Sequence, residues 1–158
     1  MKIHIEEFTE NDVGELEDLF RKVWPESREY PEEWRKKRQL TREEITAEMH
    51  SGFHYFGARN EKGEITGVYK LKVTEEGCFG EHQSILPECT GDGIASAMYE
   101  QFINYAKTHK CIKNYVYVLE THSACIHLVE KYGFNPVGDT FEQAEGMWVQ
   151  KYERCCHE

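Results

Sequence analysis

Along the chain, Ile3 and Ile5 alternate with Lys2, His4 and Glu6, which predicts a half-buried strand over Lys2 to Phe8. Thr9 followed three residues later by Asp12 has the form of a capping box. Val13, Leu16, Leu19, Phe20 and Val23 then share one helical face, and Pro25 follows it. Glu26 to Arg38 is polar, carries the aromatics Tyr30 and Trp34, and reads as a connection. Thr41 to Ser51 reads as a short second helix. Phe53 to Ala58 predicts a strand, Asn60 to Gly63 a turn, and Ile65 to Val73 the returning strand. Cys78 to Leu86 reads as a fourth strand, stopped by Pro87.

After Pro87 the period changes. Ile94, Ala97, Met98, Phe102, Tyr105 and Ala106 form a helical stripe. Tyr115 to Leu119 is apolar on both faces, as a central strand is. Ala124, Cys125, Leu128, Val129 and Tyr132 make another helical stripe, and Gly133 ends it in the usual C-terminal position. Two strands, Asn135 to Thr140 and Met147 to Tyr152, finish the order. Hairpins early and late with a strand-helix-strand unit between them imply an α/β fold: a mixed sheet of about seven strands flanked by about four helices.

Composition narrows the function classes. The 158 residues fit one domain over 1–158, with 39% hydrophobic and 30% charged residues. No run approaches the ~20 apolar residues of a membrane span. The opening MKIHIEEFTE alternates and carries charge, unlike a signal or transit peptide. A net charge of −10 argues against nucleic acid or an anionic membrane as partner and leans toward a cationic one. The six cysteines show no CxxC pair, so they read as reduced thiols in a cytoplasmic protein. Cys155, Cys156 and His157 make a poor metal site, and no metal is expected.

Chemistry concentrates between Ile85 and Ala97, where a strand passes through Thr90-Gly91-Asp92-Gly93-Ile94-Ala95-Ser96 into a long helix. Glycines at such a junction let amide N–H groups converge on an anion, aided by the helix dipole. The segment matches neither the P-loop nor the full dinucleotide fingerprint. Together with the element order and the later Val129-Glu130-Lys131-Tyr132-Gly133-Phe134, it resembles the GNAT superfamily of N-acetyltransferases over nearly the whole chain. That resemblance implies acetyl transfer from acetyl-CoA to a small-molecule amine, and a dimer is common among such proteins. It also implies a pantetheine arm lying between splayed parallel strands, here those ending near Ile85 and Leu86 and at Leu119. The pyrophosphate loop of the family falls on Thr90 to Ala95, with Thr90 where arginine or glutamine usually stands and Asp92 adding a like charge. Val129 replaces a tyrosine that often protonates the leaving thiolate. Cys125 and Tyr132 are the nearby substitutes, each also a packing residue. These departures keep open a second reading, a non-catalytic acyl-CoA-binding sensor or interaction module.

His122 stands where the family often has an asparagine touching the cofactor arm; the alternative is a helix cap. The neighbouring Glu120, His122 and Ser123 lack a nucleophile elbow and do not form a hydrolase signature. Trp24-Pro25-Glu26 is similar to an element often carried by aminoglycoside 6′-N-acetyltransferases. Trp24, Tyr30 and Trp34, with Glu26, Glu29, Glu32 and Glu33, fall in the region that shapes the acceptor site in the family, and would suit a cationic amine, aminoglycoside or polyamine-like. Such a reaction needs a base. The family places it on the fourth strand, which points to Glu81, with His82 promoted if a bulge reverses the strand parity.

Overall fold

The amphipathic stripes are buried against opposite faces of one sheet, in a computed structural model that describes residues 2–156. The sheet runs β1 (Glu6–Phe8), β2 (His54–Arg59), β3 (Ile65–Val73), β4 (Cys78–Ile85), β5 (Lys113–Leu119), β7 (Met147–Cys155), β6 (Asn135–Ala144). Neighbours are antiparallel except for β4 and β5, which are parallel. On one face α1 (Val13–Val23) and α3 (Arg42–His50) bury Leu16, Leu19, Phe20 and Ile45 against Phe8, Tyr55, Ile65 and Val68. On the other, α4 (Ile94–Thr108) and α5 (Ser123–Lys131) bury Ile94, Met98, Phe102, Ala106 and Val129 against Tyr69, Leu71, Val116 and Val118.

The capping signal at Thr9 works as the sequence implies. Asp12 accepts from the Thr9 amide at 2.8 Å, closing a box at the 3-10 turn that leads into α1. Thr41 and Glu44 close a second box at the start of α3. Two expectations change. The first strand pairs only from Glu6, opposite Gly57 of β2; Ile3 and Ile5 still pack on the core. The stretch read as a connection holds a fifth helix, α2 (Glu32–Lys37), started after Pro31 and anchored by Trp34, which packs beside two clusters. One apolar residue in six was too little to register as a stripe.

Two local features in β4 decide where the site lies. Parallel pairing with β5 covers only Cys78 with Asn114 and Phe79 with Tyr115, and then the strands part. At the parting stands Gly80, where an added Cβ would lie 2.8 Å from Cζ of Phe102. The Phe102 ring is held by Tyr69, Tyr99 and Phe134, with centroids 5.8, 6.1 and 6.3 Å away, so it fills the place a side chain at 80 would take. One step later β4 is bulged: it uses three residue steps from Glu81 to Ser84 while β3 uses two from Lys70 to Val68. His82 occupies the left-handed region, φ 64°, within this bulge.

Gly80→Ala should therefore cost about 1–3 kcal/mol of stability. Phe102→Leu added to it should cost less than the sum of the single changes, as chemical denaturation would measure. A wild-type midpoint for Gly80→Ala would contradict the close fit.

Candidate active site

Where β4 and β5 part, their facing edges border a cleft of about 680 Å³ that continues from the N-terminus of α4 to the loop before α2. At one end, Gly91 and Gly93 adopt φ of 89° and 90°, turning the chain into α4 without a side-chain cap. Among the described residues, the amides of Gly91, Gly93, Ile94, Ala95 and Ser96 have no protein acceptor. A Cβ at Gly93 would meet nothing within 4 Å, so the space before these donors is open. The combination fits a diphosphate, whose oxygens would take the orphan N–H groups at the positive end of the helix. The Thr90 hydroxyl donates to the Pro87 carbonyl at 2.8 Å. It staples the turn rather than offering the cationic contact of the arginine that the family often has there.

The cleft gathers most of the residues singled out from the sequence. Trp24, Tyr30, Trp34, Glu81, His82, Ile85, Thr90, Gly91, Gly93, Ile94, Ala95, Ser96, His122 and Cys125 all line it. Three do not. Leu86 packs on the α1 side of the sheet, its amide bonded to Thr66. Asp92 is exposed and lies outside the lining. Val129 is fully buried in the core, since the stripe of α5 that carries it faces the sheet. His122 caps α5, its Nδ1 accepting from the Cys125 amide at 3.4 Å, while its ring borders the cleft. Both roles weighed for it are thus compatible. Burial pushes the Cys125 thiol up to about 11, so it stays protonated. Tyr132 donates to Glu100 at 3.0 Å and stacks on Tyr99, and lies outside the lining.

The bulge that would reverse the strand parity is present in β4. Glu81 and His82 lie side by side on the α1 face, where simple alternation separates them. Ser84 joins them and accepts the Trp24 indole N–H at 2.8 Å, while Ile85 turns to the α4 face. The Arg38 guanidinium donates to Oε1 of Glu81 at 2.9 Å, and the Arg38 carbonyl lies 2.9 Å from Nε2 of His82. Arg38 caps α2, so one residue ties this helix to both base candidates. Burial holds His82 well below the ordinary imidazole range, helped by the nearby Arg38 and Lys70 charges. Its ring stacks on Phe20 at 4.3 Å, and its Nδ1 has no hydrogen-bond partner among the described residues.

Of the acidic residues expected at the acceptor end, Glu29 lines the cleft; Glu26, Glu32 and Glu33 do not. The face of Trp34 is already taken by the Arg38 guanidinium at 4.5 Å. Sequence reasoning missed Arg38 and Lys70. The only signal for Lys70 was a lysine in the apolar run Ile65-Thr66-Gly67-Val68-Tyr69-Lys70-Leu71. Among the described residues no group of three or more metal-ligating side chains is placed to hold an ion, and His157 lies outside those residues. No helix among them is long and apolar enough to cross a membrane.

By sequence, no curated protein matches the chain significantly. Solved structures match it in fold. The N-acetyltransferase from Staphylococcus aureus Mu50 superposes with a TM-score of 0.80 at 14% identity, covering 99% of this chain and 100% of that one. The yncA structure from Salmonella typhimurium, which holds its cofactor acetyl-CoA, gives 0.78 at 12% identity, with 99% and 95% covered. The spermidine/spermine N-acetyltransferase SpeG from Vibrio cholerae gives 0.71 at 17% identity, with 98% and 95% covered. The model of the acetyltransferase (GNAT) family matches residues 13–134, from the start of α1 to the end of the turn after α5. With parted parallel strands at its centre and that match over most of its length, the chain belongs to the GNAT acetyltransferase family, whose co-substrate is acetyl-CoA.

Proposed function

We propose that the chain transfers acetyl from acetyl-CoA to a primary amine of a small, cationic molecule. One observation carries this reading: a single cleft joins an anion cradle at the α4 N-terminus to a carboxylate and aromatic surface beside α2. The amides of Gly91 to Ser96 hold the pyrophosphate, and Ile85, His122 and Cys125 flank the arm. Acetyl-CoA supplies an activated acyl group and a thiolate leaving group with an ordinary thiol pKa of about 8.5. Cys125, held near 11, is a weaker acid than that, so the thiolate takes its proton from water.

At the other end, Tyr30 and Glu29 receive the amine, since the Trp34 face is occupied by Arg38. An alkylammonium with a pKa of about 10.4 pays about 4–5 kcal/mol to free its lone pair at pH 7. Glu81 takes that proton on Oε2, the oxygen that Arg38 leaves free. A second reading gives the task to Nδ1 of His82, because a buried lone pair without a donor calls for one. Its low proton affinity makes it the weaker base. The likeness to the Vibrio cholerae spermidine/spermine enzyme is one of fold and leaves the amine to be found by assay.

Turnover is best followed by loss of the thioester across a panel of polyamines, aminoglycosides and amino acids. The expected result is turnover confined to polycationic amines; CoA binding without any turnover would mark a non-catalytic module instead. Glu81→Gln should lower turnover by about 10²–10⁴ at saturating amine and leave CoA affinity nearly unchanged. Near-wild-type turnover in that variant, with loss in a folded His82→Asn variant, would move the role to His82.

The loop offers a separate check by calorimetry. Gly93→Val puts a β-branched residue into the left-handed region, which costs about 1–2 kcal/mol and displaces the amides, so CoA binding should be lost while the fold persists. Asp92→Lys should tighten CoA by up to about fivefold at low salt. Unchanged affinity in both would place the cofactor elsewhere.

A further inference from the structure

Lys70 is a charged side chain buried in the sheet. It is 2% exposed in the middle of β3, where a leucine or methionine would satisfy packing, and a buried charge is stable only when paired. Nζ donates to Oε1 of Glu48 at 2.6 Å and lies 3.8 Å from Oε2 of Glu81. The ammonium sits 4.8 Å from the Phe53 ring centroid and 5.8 Å from that of Tyr55. The Tyr55 hydroxyl donates to the same Glu48 oxygen. Lys70 is also the cross-strand partner of Glu81, one step before the bulge at His82.

The charged and titratable groups around Glu81 come from every element packed there. Arg38 arrives from the end of α2, Lys70 from β3, Glu48 from α3, Tyr55 from β2 and His82 from β4 itself. With Tyr55 and His82 neutral, the two cations balance the two carboxylates. Neutralising Glu81 would leave the buried lysine charge with less to balance it. Glu48 works against it, because the nearer carboxylate offsets most of the lysine charge. Burial draws the lysine below its ordinary value, and Glu81 and Glu48 counter that pull.

We propose that Lys70 and Glu48 are positioning residues that set the protonation equilibrium of Glu81, and with it the acid limit of acetyl transfer. The inference rests on the reading of Glu81 as the base. It assigns opposite signs to the two partners. Without the lysine charge, Glu81 keeps a proton to higher pH. Without the glutamate charge, the full lysine charge bears on Glu81, which loses its proton at lower pH. Neither residue touches the amine or the acyl group.

The test is the pH profile of kcat/KM for wild type, Glu81→Gln, Lys70→Met, Lys70→Arg and Glu48→Gln, each with a thermal melt. In Lys70→Met the acid limb should rise by about one to three pH units, and Lys70→Arg should return it near the wild-type position. In Glu48→Gln the limb should fall by about one unit. Glu48 is partly exposed, so this variant carries the test even if Lys70→Met does not fold. If Glu81→Gln loses turnover while the limb stays fixed in Glu48→Gln and in the folded Lys70 variants, the inference is overturned and the base stands. If Glu81→Gln keeps wild-type turnover and profile, the base reading falls and takes the inference with it.

Discussion

The parting of β4 from β5 is the constraint on which the rest of the structure depends. A parallel pair in the middle of a sheet normally runs on until one strand ends, because unpaired buried amides are expensive. Here the pair stops after two registered positions, and the space beyond becomes the cleft. The Phe102 ring fills the place of the missing Gly80 side chain on the α4 face, and the bulge at His82 adds a residue to β4 just beyond. The cleft is then lined from two sides: the orphan amides of α4 on one, α2 and its preceding loop on the other.

The bulge sets His82 beside Glu81 on the α1 face. The charge there comes from Glu81 itself, which lies between the buried Lys70 and Arg38. Arg38 in turn fastens α2 to β4 through its side chain and its carbonyl. The wall proposed to meet the acceptor and the groups proposed to take its proton are therefore one mechanical unit. A substitution that moves α2 moves the base as well, so effects on acceptor affinity and on turnover should be hard to separate there.

The fold was largely legible because its signals are local. The capping box at Thr9, the stripes of α1, α4 and α5, and Gly133 each act within a few residues, and the elements form where they imply. The anchor loop was legible for the same reason: glycines at a strand-to-helix junction carry their conformation with them. What escaped depends on distant partners. Nothing around Gly80 announces Phe102, twenty-two residues on, and no pattern near Glu81 announces Arg38 or Lys70. The bulge in β4 stayed an open alternative because it is decided by pairing between strands, and a strand sequence alone keeps its alternation. Val129 had an assigned position in the family motif, yet its burial in the core was set by the face α5 presents to the sheet.

Amide hydrogen exchange with and without CoA tests the central claim most directly, since it reads the parted strands and the loop in one measurement. The account predicts slower exchange on adding CoA at Gly91 to Ser96 and along the facing edges of residues 80–85 and 116–119, with β6 unchanged. Protection confined to other parts of the chain, or none at saturating CoA, would contradict it.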